Sequence, residues 1–454
     1  MRLMMPWLAT TRDTFKTQLW PIPTIAVVVA LVVGFGLPEL DSALNRHLSE
    51  RVSGLLFGGD ADAARSLLGA IASSLITVTA LTFSLTVVTL QLASSQFSPR
   101  LLRTFTSDQF VQATLALFLA TFTYALTVLR AVRSAGDSGQ AEFVPKFAVS
   151  LAFLLAVASV LGLVLFLAHL TAQIRVETML RNVHRDASRT MREVLPQRDD
   201  AEDHQPPGPR TPLDAIQLLA HDDGFLTRID QDDLVAVAVD EGALLSLDVS
   251  PGSFMVRGTP MGAAWPASGG RFDTEASDRV AANVAGCLHT SFERIASQDV
   301  GFGLRQLADV ANKALSPGIN DPTTAIHALG HISSFLCDLT DHDLGQQQLR
   351  DEDDRVRVTL HRPDFAAYVD LGISQPRRYG AADPQVMEKI FQVLLDLTHR
   401  AAPEQRPVIR DQLARLRGTV DAQTFDSAER TALAELGQRV EQNLGGSPTG
   451  SGAS

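Results

Sequence analysis

The hydrophobic positions of this chain fall into two regimes. Up to about residue 172 they form four long runs nearly free of charge. Beyond it they come in short periodic clusters divided by charged, glycine- and proline-containing stretches. A helix crosses a bilayer with about 20 apolar residues. The runs at about 21–40, 67–92, 111–128 and 144–170 therefore predict a domain of four transmembrane helices over residues 21–172.

The second run is set apart by its polar positions. Leu67 to Leu92 carries no charge, yet Ser, Thr and Gln recur along it. At about 100° per residue, Ser73, Thr77, Ser84, Gln91 and Ser95 share one stripe, and Thr79, Thr82, Thr86 and Thr89 lie roughly opposite. Two polar faces read as an inner helix, in touch with protein or water on both sides. The first stripe has two readings. Small hydroxylated residues let helices approach closely and bond across the gap. Alternatively the stripe lines a water-filled path, where hydroxyl and amide dipoles pass an ion without trapping it. No Asp, Glu, Lys or Arg sits mid-span, which weighs against a proton-coupled pump. Four spans are few for a path inside one subunit, so a conduit implies a homo-oligomer with this helix facing its axis.

The flanks set orientation. Residues 1–20 are amphipathic, with Trp7 and Trp20 suited to the membrane interface. The first run lacks an Ala-x-Ala-like cleavage site and reads as an uncleaved span. With the N-terminus inside, ten basic residues (Arg2, Arg12, Lys16, Arg100, Arg103, Arg175, Arg181, Arg185, Arg189, Arg192) face six outside (Arg46, Arg51, Arg65, Arg130, Arg133, Lys146). That excess predicts a multi-pass protein of the bacterial inner membrane with both termini cytoplasmic.

Past the membrane the period changes twice. A juxtamembrane helix is expected over 173–194, then a Pro-, Asp- and Gly-rich linker over 195–221. Short alternating runs with turns at Asp240-Glu241-Gly242 and Pro251-Gly252 predict a small antiparallel β-module over 222–265, with Val235, Val237 and Val239 on one face of a strand. A helical cytosolic domain follows over 273–443, with helices near 275–295, 301–315, 322–338, 384–400, 403–418 and 426–443 and a short strand at Arg355–Leu360. Residues 444–454 form a flexible tail. The fold class is thus membrane α-helical plus a cytosolic α+β region.

Charge and composition narrow the function. A net charge of −12 and a pI near 5.4 leave no basic footprint, so the bilayer is the expected partner and nucleic acid is not. Two cysteines, Cys287 and Cys337, fit a reducing compartment. The chain holds no Gly-x-Ser-x-Gly elbow, phosphate-binding P-loop or dinucleotide fingerprint. His327 and His331 are spaced to share a helix face, but no third ligand accompanies them. Neither catalysis, a metal nor a cofactor is expected.

The sharpest polar stretch is GFGLRQLADVANKALSPGINDPTTAIHALGHI, Gly301 to Ile332. Arg305, Asp309 and Lys313 recur every four residues and form one charged stripe. After Ser316-Pro317-Gly318, Asp321 is placed to cap a helix that begins with Pro322, with Asn320, Thr323 and Thr324 beside it. One reading is a tight helix–turn–helix whose Asn320 and Asp321 satisfy backbone donors. The other is a site for an ion, small molecule or partner at that helix N-terminus.

In ARSLLGAIASSLITVTALTFSLTVVTLQLASSQFSPRLL and in FGLRQLADVANKALSPGINDPTTA the chain resembles a family of predicted bacterial membrane proteins defined by a domain of unknown function. The resemblance covers nearly all of it apart from the tail. It implies the four-span topology and adds no catalytic residue. Two functions compete: an oligomeric channel or simple permeation pathway with a cytosolic regulatory domain, and a membrane-anchored sensor or scaffold that binds through the 301–324 stretch.

Overall fold

The computed structural model describes residues 20–44, 56–96, 108–133, 143–173, 175–198 and 208–445, with the backbone alone at 42–44 and 93–96. Segment 1–19, most of the tail, the Ser95 side chain, Arg46, Arg51, Arg100 and Arg103 lie outside the described residues. The chain forms two compact units, 1–175 and 176–454.

The first unit contains α1 (Pro21–Leu44), α2 (Ala61–Gln96), α3 (Gln109–Ala131) and α4 (Lys146–Gln173). Each is long and apolar enough to cross a membrane, the shortest such stretch being the 21 residues of Pro21–Asp41. At 1.5 Å per residue that stretch spans about 31 Å, matching a hydrocarbon core of about 30 Å. The caps explain where these helices start. Asp60 accepts from the Ala63 amide at 2.8 Å, and Asp108 from the Phe110 amide at 2.9 Å. Asp41, at the end of the α1 stretch and buried, accepts from the Phe147 amide at 2.8 Å and so caps α4 from another helix.

The inner helix is α3, where the sequence pointed to α2. α3 packs against α1, α2 and α4, burying Phe118, Tyr124, Ala125 and Val128. Gly34 of α1 lies so close that a Cβ there would stand 2.9 Å from Thr127 Cβ. On the buried face of α2, three of the four threonine hydroxyls turn back on their own helix. Thr79, Thr86 and Thr89 donate to the carbonyls of Leu75, Thr82 and Leu85 at 2.6, 2.9 and 2.9 Å. On α4, Phe153, Leu154, Val160, Leu161, Val164 and Leu165 all face outward, as a lipid-contacting helix requires.

The second unit opens with α5 (Val176–Val194), amphipathic and burying Met179, Leu180, Val183, Ala187 and Met191. Then come β1 (Ile216–Leu219), β2 (Gly224–Ile229), α6 (Gln231–Asp240), β3 (Ala243–Leu247), β4 (Phe254–Met255), β5 (Pro260–Pro266), α7 (Thr274–Gly286) and β6 (Leu288–Ser291). The rest is α8 (Val300–Ala314), α9 (Pro322–Leu339), β7 (Gln346–Arg350), β8 (Val356–His361), α10 (Phe365–Tyr379), α11 (Pro384–Arg400), α12 (Arg406–Asp421) and α13 (Ser427–Gly445). One sheet has the order β1-β5-β3-β8-β7 and the other β4-β2-β6. The five-stranded sheet is mixed, since β3 and β8 run parallel with Leu245 opposite Val358. It draws on strands beyond 265.

Three further expectations change here. Val235, Val237 and Val239 lie on a helix, α6, whose first turn carries Asp232 and Asp233 and whose Leu234 and Ala238 are buried one turn apart. Acids at a helix N-terminus outweigh the alternation of valine and alanine. The helix expected to reach 295 stops at Gly286, and Leu288–Ser291 pairs with β2. Finally, α10 forms although Gly372 and Pro376 lie in it. Its Asp364 cap accepts from the Ala367 amide at 2.8 Å, and a Cβ at Gly372 would stand 3.0 Å from Ile332 Cγ2. The glycine admits α9 at close range.

Candidate functional site

Three places carry the candidate chemistry. On α2, Ser73, Thr77, Ser84 and Gln91 all face outward from the chain, whereas Thr79, Thr82, Thr86 and Thr89 are buried. The outward residues differ from one another. Ser73 donates to the Ala70 carbonyl at 3.2 Å and Thr77 to that of Ser73 at 3.1 Å. Ser84 and Gln91 have no hydrogen-bond partner among the described residues.

In the second unit, α8 and α9 meet at the turn expected from the sequence. Asn320 adopts a left-handed backbone (φ 49°), and the Asp321 amide donates to the Ala314 carbonyl at 2.8 Å, closing the turn. Asp321 then accepts from the Thr324 amide at 3.1 Å and its hydroxyl at 2.6 Å. These two bonds hold the Asp321 carboxyl below its usual range. Asn320 and Thr323 are exposed beside it. Arg305, Asp309 and Lys313 do follow one another along α8, but the helix carries them apart. Arg305 sits in its second turn, and Lys313 in its last, near the Asn320 turn.

Arg305 belongs instead to a cleft of about 310 Å³ at the start of α8. Its walls come from the end of α5 (Val194, Leu195), the Ser250–Ser253 turn, Arg294, Asp299, and the Arg362–Leu371 stretch with Tyr368. Gly252 is left-handed there (φ 95°), and any side chain would collide with the Asp299 carboxylate. Asp299 is buried and pairs with Arg294, Nε to Oδ2 at 2.5 Å. Burial nevertheless pushes its carboxyl above the usual range, the Arg294 guanidinium only partly offsetting the loss of water. Burial also lowers the Arg362 guanidinium and raises the Tyr368 phenol. Sequence reasoning missed Arg294, Asp299, Arg362 and Tyr368, which the fold gathers from two separate segments.

The other titratable groups have plainer roles. Burial pushes both thiols, Cys287 and Cys337, up to about 11, and both are free, so neither is an activated nucleophile. His331 lies with its ring 5.3 Å from that of His184 on α5. Among the described residues no three His, Cys, Asp or Glu side chains converge on a metal position.

Comparison with known proteins agrees with this architecture. No solved structure matches the chain. The uncharacterised proteins Rv1290c of Mycobacterium tuberculosis and Mb1321c of Mycobacterium bovis are each 32% identical over 433 residues, which is 95% of this chain and 81% of theirs. The family model described as "Predicted membrane protein (DUF2254)" matches residues 16–396. The chain therefore belongs to that family of predicted membrane proteins.

Proposed function

We propose that this multi-span membrane protein assembles into an oligomer whose α2 helices flank a permeation path for ions or small solutes. In this reading it lies in the bacterial inner membrane with both termini in the cytoplasm, where the second unit regulates the path. It has no catalytic role. The observation that carries the reading is Ser84 with Gln91. Both face outward on a membrane-crossing helix, and neither side chain is hydrogen-bonded among the described residues. An unpaired amide against lipid tails is costly, so the pair requires water or another subunit. Leu81, Val87 and Val88 are exposed on either side of the stripe and suit helix contacts around such a path. The excess of basic residues on the inner segments supports the orientation.

The test is ion flux through purified protein in liposomes, beside a Ser84→Leu/Gln91→Leu variant. The expected result is saturable or voltage-dependent flux that the variant alters while its oligomeric state and melting temperature hold. Absence of flux under varied ions, voltage and pH overturns the reading, as does flux that the variant leaves unchanged. The competing reading is a membrane-anchored sensor or scaffold, and the cleft beside α8 favours it.

A further inference from the structure

Arg362 is a half-buried cation on the wall of the cleft. Its guanidinium is half-buried and donates to the Val194 carbonyl at 3.1 Å, the last residue of α5. No carboxylate pairs with it among the described residues. The two acids on the cleft wall are engaged elsewhere. Asp299 holds Arg294. Asp370 accepts from the Ser374 hydroxyl at 2.5 Å and pairs with Arg415 at 3.4 Å. Tyr368 is 4% exposed, lines the cleft and stays protonated, and its hydroxyl has no partner among the described residues. A cation short of a counter-charge and a hydroxyl short of an acceptor thus border one space, with Leu195, Pro251 and Leu371 as apolar wall.

We propose that this cleft binds a small organic oxyanion, a carboxylate or phosphate of metabolite size, through Arg362 and the Tyr368 hydroxyl. A guanidinium offers parallel N–H donors that match either group. At about 310 Å³ the space lies at the lower end of ligand pockets, which excludes nucleotide-sized occupants and admits compact acids. The inference is independent of conduction, because binding is measured without a membrane path.

The experiment is titration calorimetry on the full-length protein in detergent, with inorganic phosphate in one arm and succinate in the other. Saturable binding of either anion is expected, and the arm that saturates at lower concentration identifies the head group. Arg362→Gln should weaken it by about tenfold or more, as loss of a charged hydrogen bond does. Arg350→Gln, on β7, should bind as the parent does. Because Arg362 also holds the end of α5, a second variant separates binding from folding: Ala367→Trp leaves every charge in place and fills the cleft. It should abolish binding at an unchanged melting temperature. Failure of both anions to bind saturably overturns the proposal, as does binding that survives in both cleft variants.

Discussion

Gly303 is a position where a single methyl group should have a readable effect. It lies where α8 crosses α5, and a Cβ built on it would stand 3.0 Å from Ala187 Cα and overlap the Ala187 methyl. Ordinary carbon contacts sit at about 3.5–4.0 Å, so the helices must part by roughly 0.5–1 Å, a gap that forfeits a quarter to a half of each contact across it. Leu180 and Val183 on α5 and Leu307 on α8, within two turns of the crossing, are all buried, so little can relax. Overpacking of this kind costs about 1–3 kcal/mol, and replacing a mid-helix glycine by alanine returns up to about 1 kcal/mol. The expected net loss for Gly303→Ala is about 1–2 kcal/mol, a fall of about 2–8 °C in melting temperature for a unit of this size. Trp265, buried in β5, supplies the fluorescence signal. Amide exchange over 176–194 should quicken as α5 loosens. Ala187→Gly on the same background should restore part of the loss, because it removes the opposing methyl. A Gly303→Ala protein that melts higher than the parent would refute the close crossing, since that is what the substitution does in an uncrowded helix.

Two further outcomes follow from the second unit. Burial, then His184, Arg181 and His327 nearby, hold His331 below its usual value of 6.5. The unfolded chain therefore takes up a proton first as pH falls below 6.5, and the unit should lose stability on acidification. His331→Gln should flatten the dependence of melting temperature on pH, and an unchanged slope would remove His331 as its source. At the α8–α9 turn, Asp321→Ala should cost about 1 kcal/mol through the lost cap. Asn320→Gly should be neutral or slightly stabilising in thermal unfolding, because φ there is 49°. Equal losses from both would point away from a purely structural turn.

The apolar runs and the α8–α9 turn were legible because each depends on neighbours in sequence: length and lack of charge for a span, and Asp321-Pro322 for a helix start. α6 misled because Val-Ala alternation has a strand's period, while the deciding signal, Asp232 and Asp233 in a first turn, lies just before it. α10 was hidden by Gly372 and Pro376, which matter for contact with α9 and not for local preference. The polar stripe of α2 was visible as a pattern, but Ser73 and Thr77 could not be told from Ser84 and Gln91 without the backbone carbonyls they reach. The cleft was out of reach for a different reason. Val194, Gly252, Asp299 and Arg362 meet only through the tertiary fold, and only Gly252 carried a local hint, as a turn glycine.

The parallel pairing of β3 with β8 also sets an order of events during synthesis. β3 finishes at Leu247, and its neighbour begins at Val356. At about 5–20 residues per second, the roughly 110 intervening residues take about 5–20 seconds to emerge. Throughout that interval one edge of β3, with its unpaired amides and carbonyls, has no native strand to receive it, which is the condition under which strands pair with the wrong chain. The nascent protein is therefore most prone to aggregate in this window. A chain ending before β8 would keep that edge open permanently, so truncation ahead of residue 356 should lower the soluble yield.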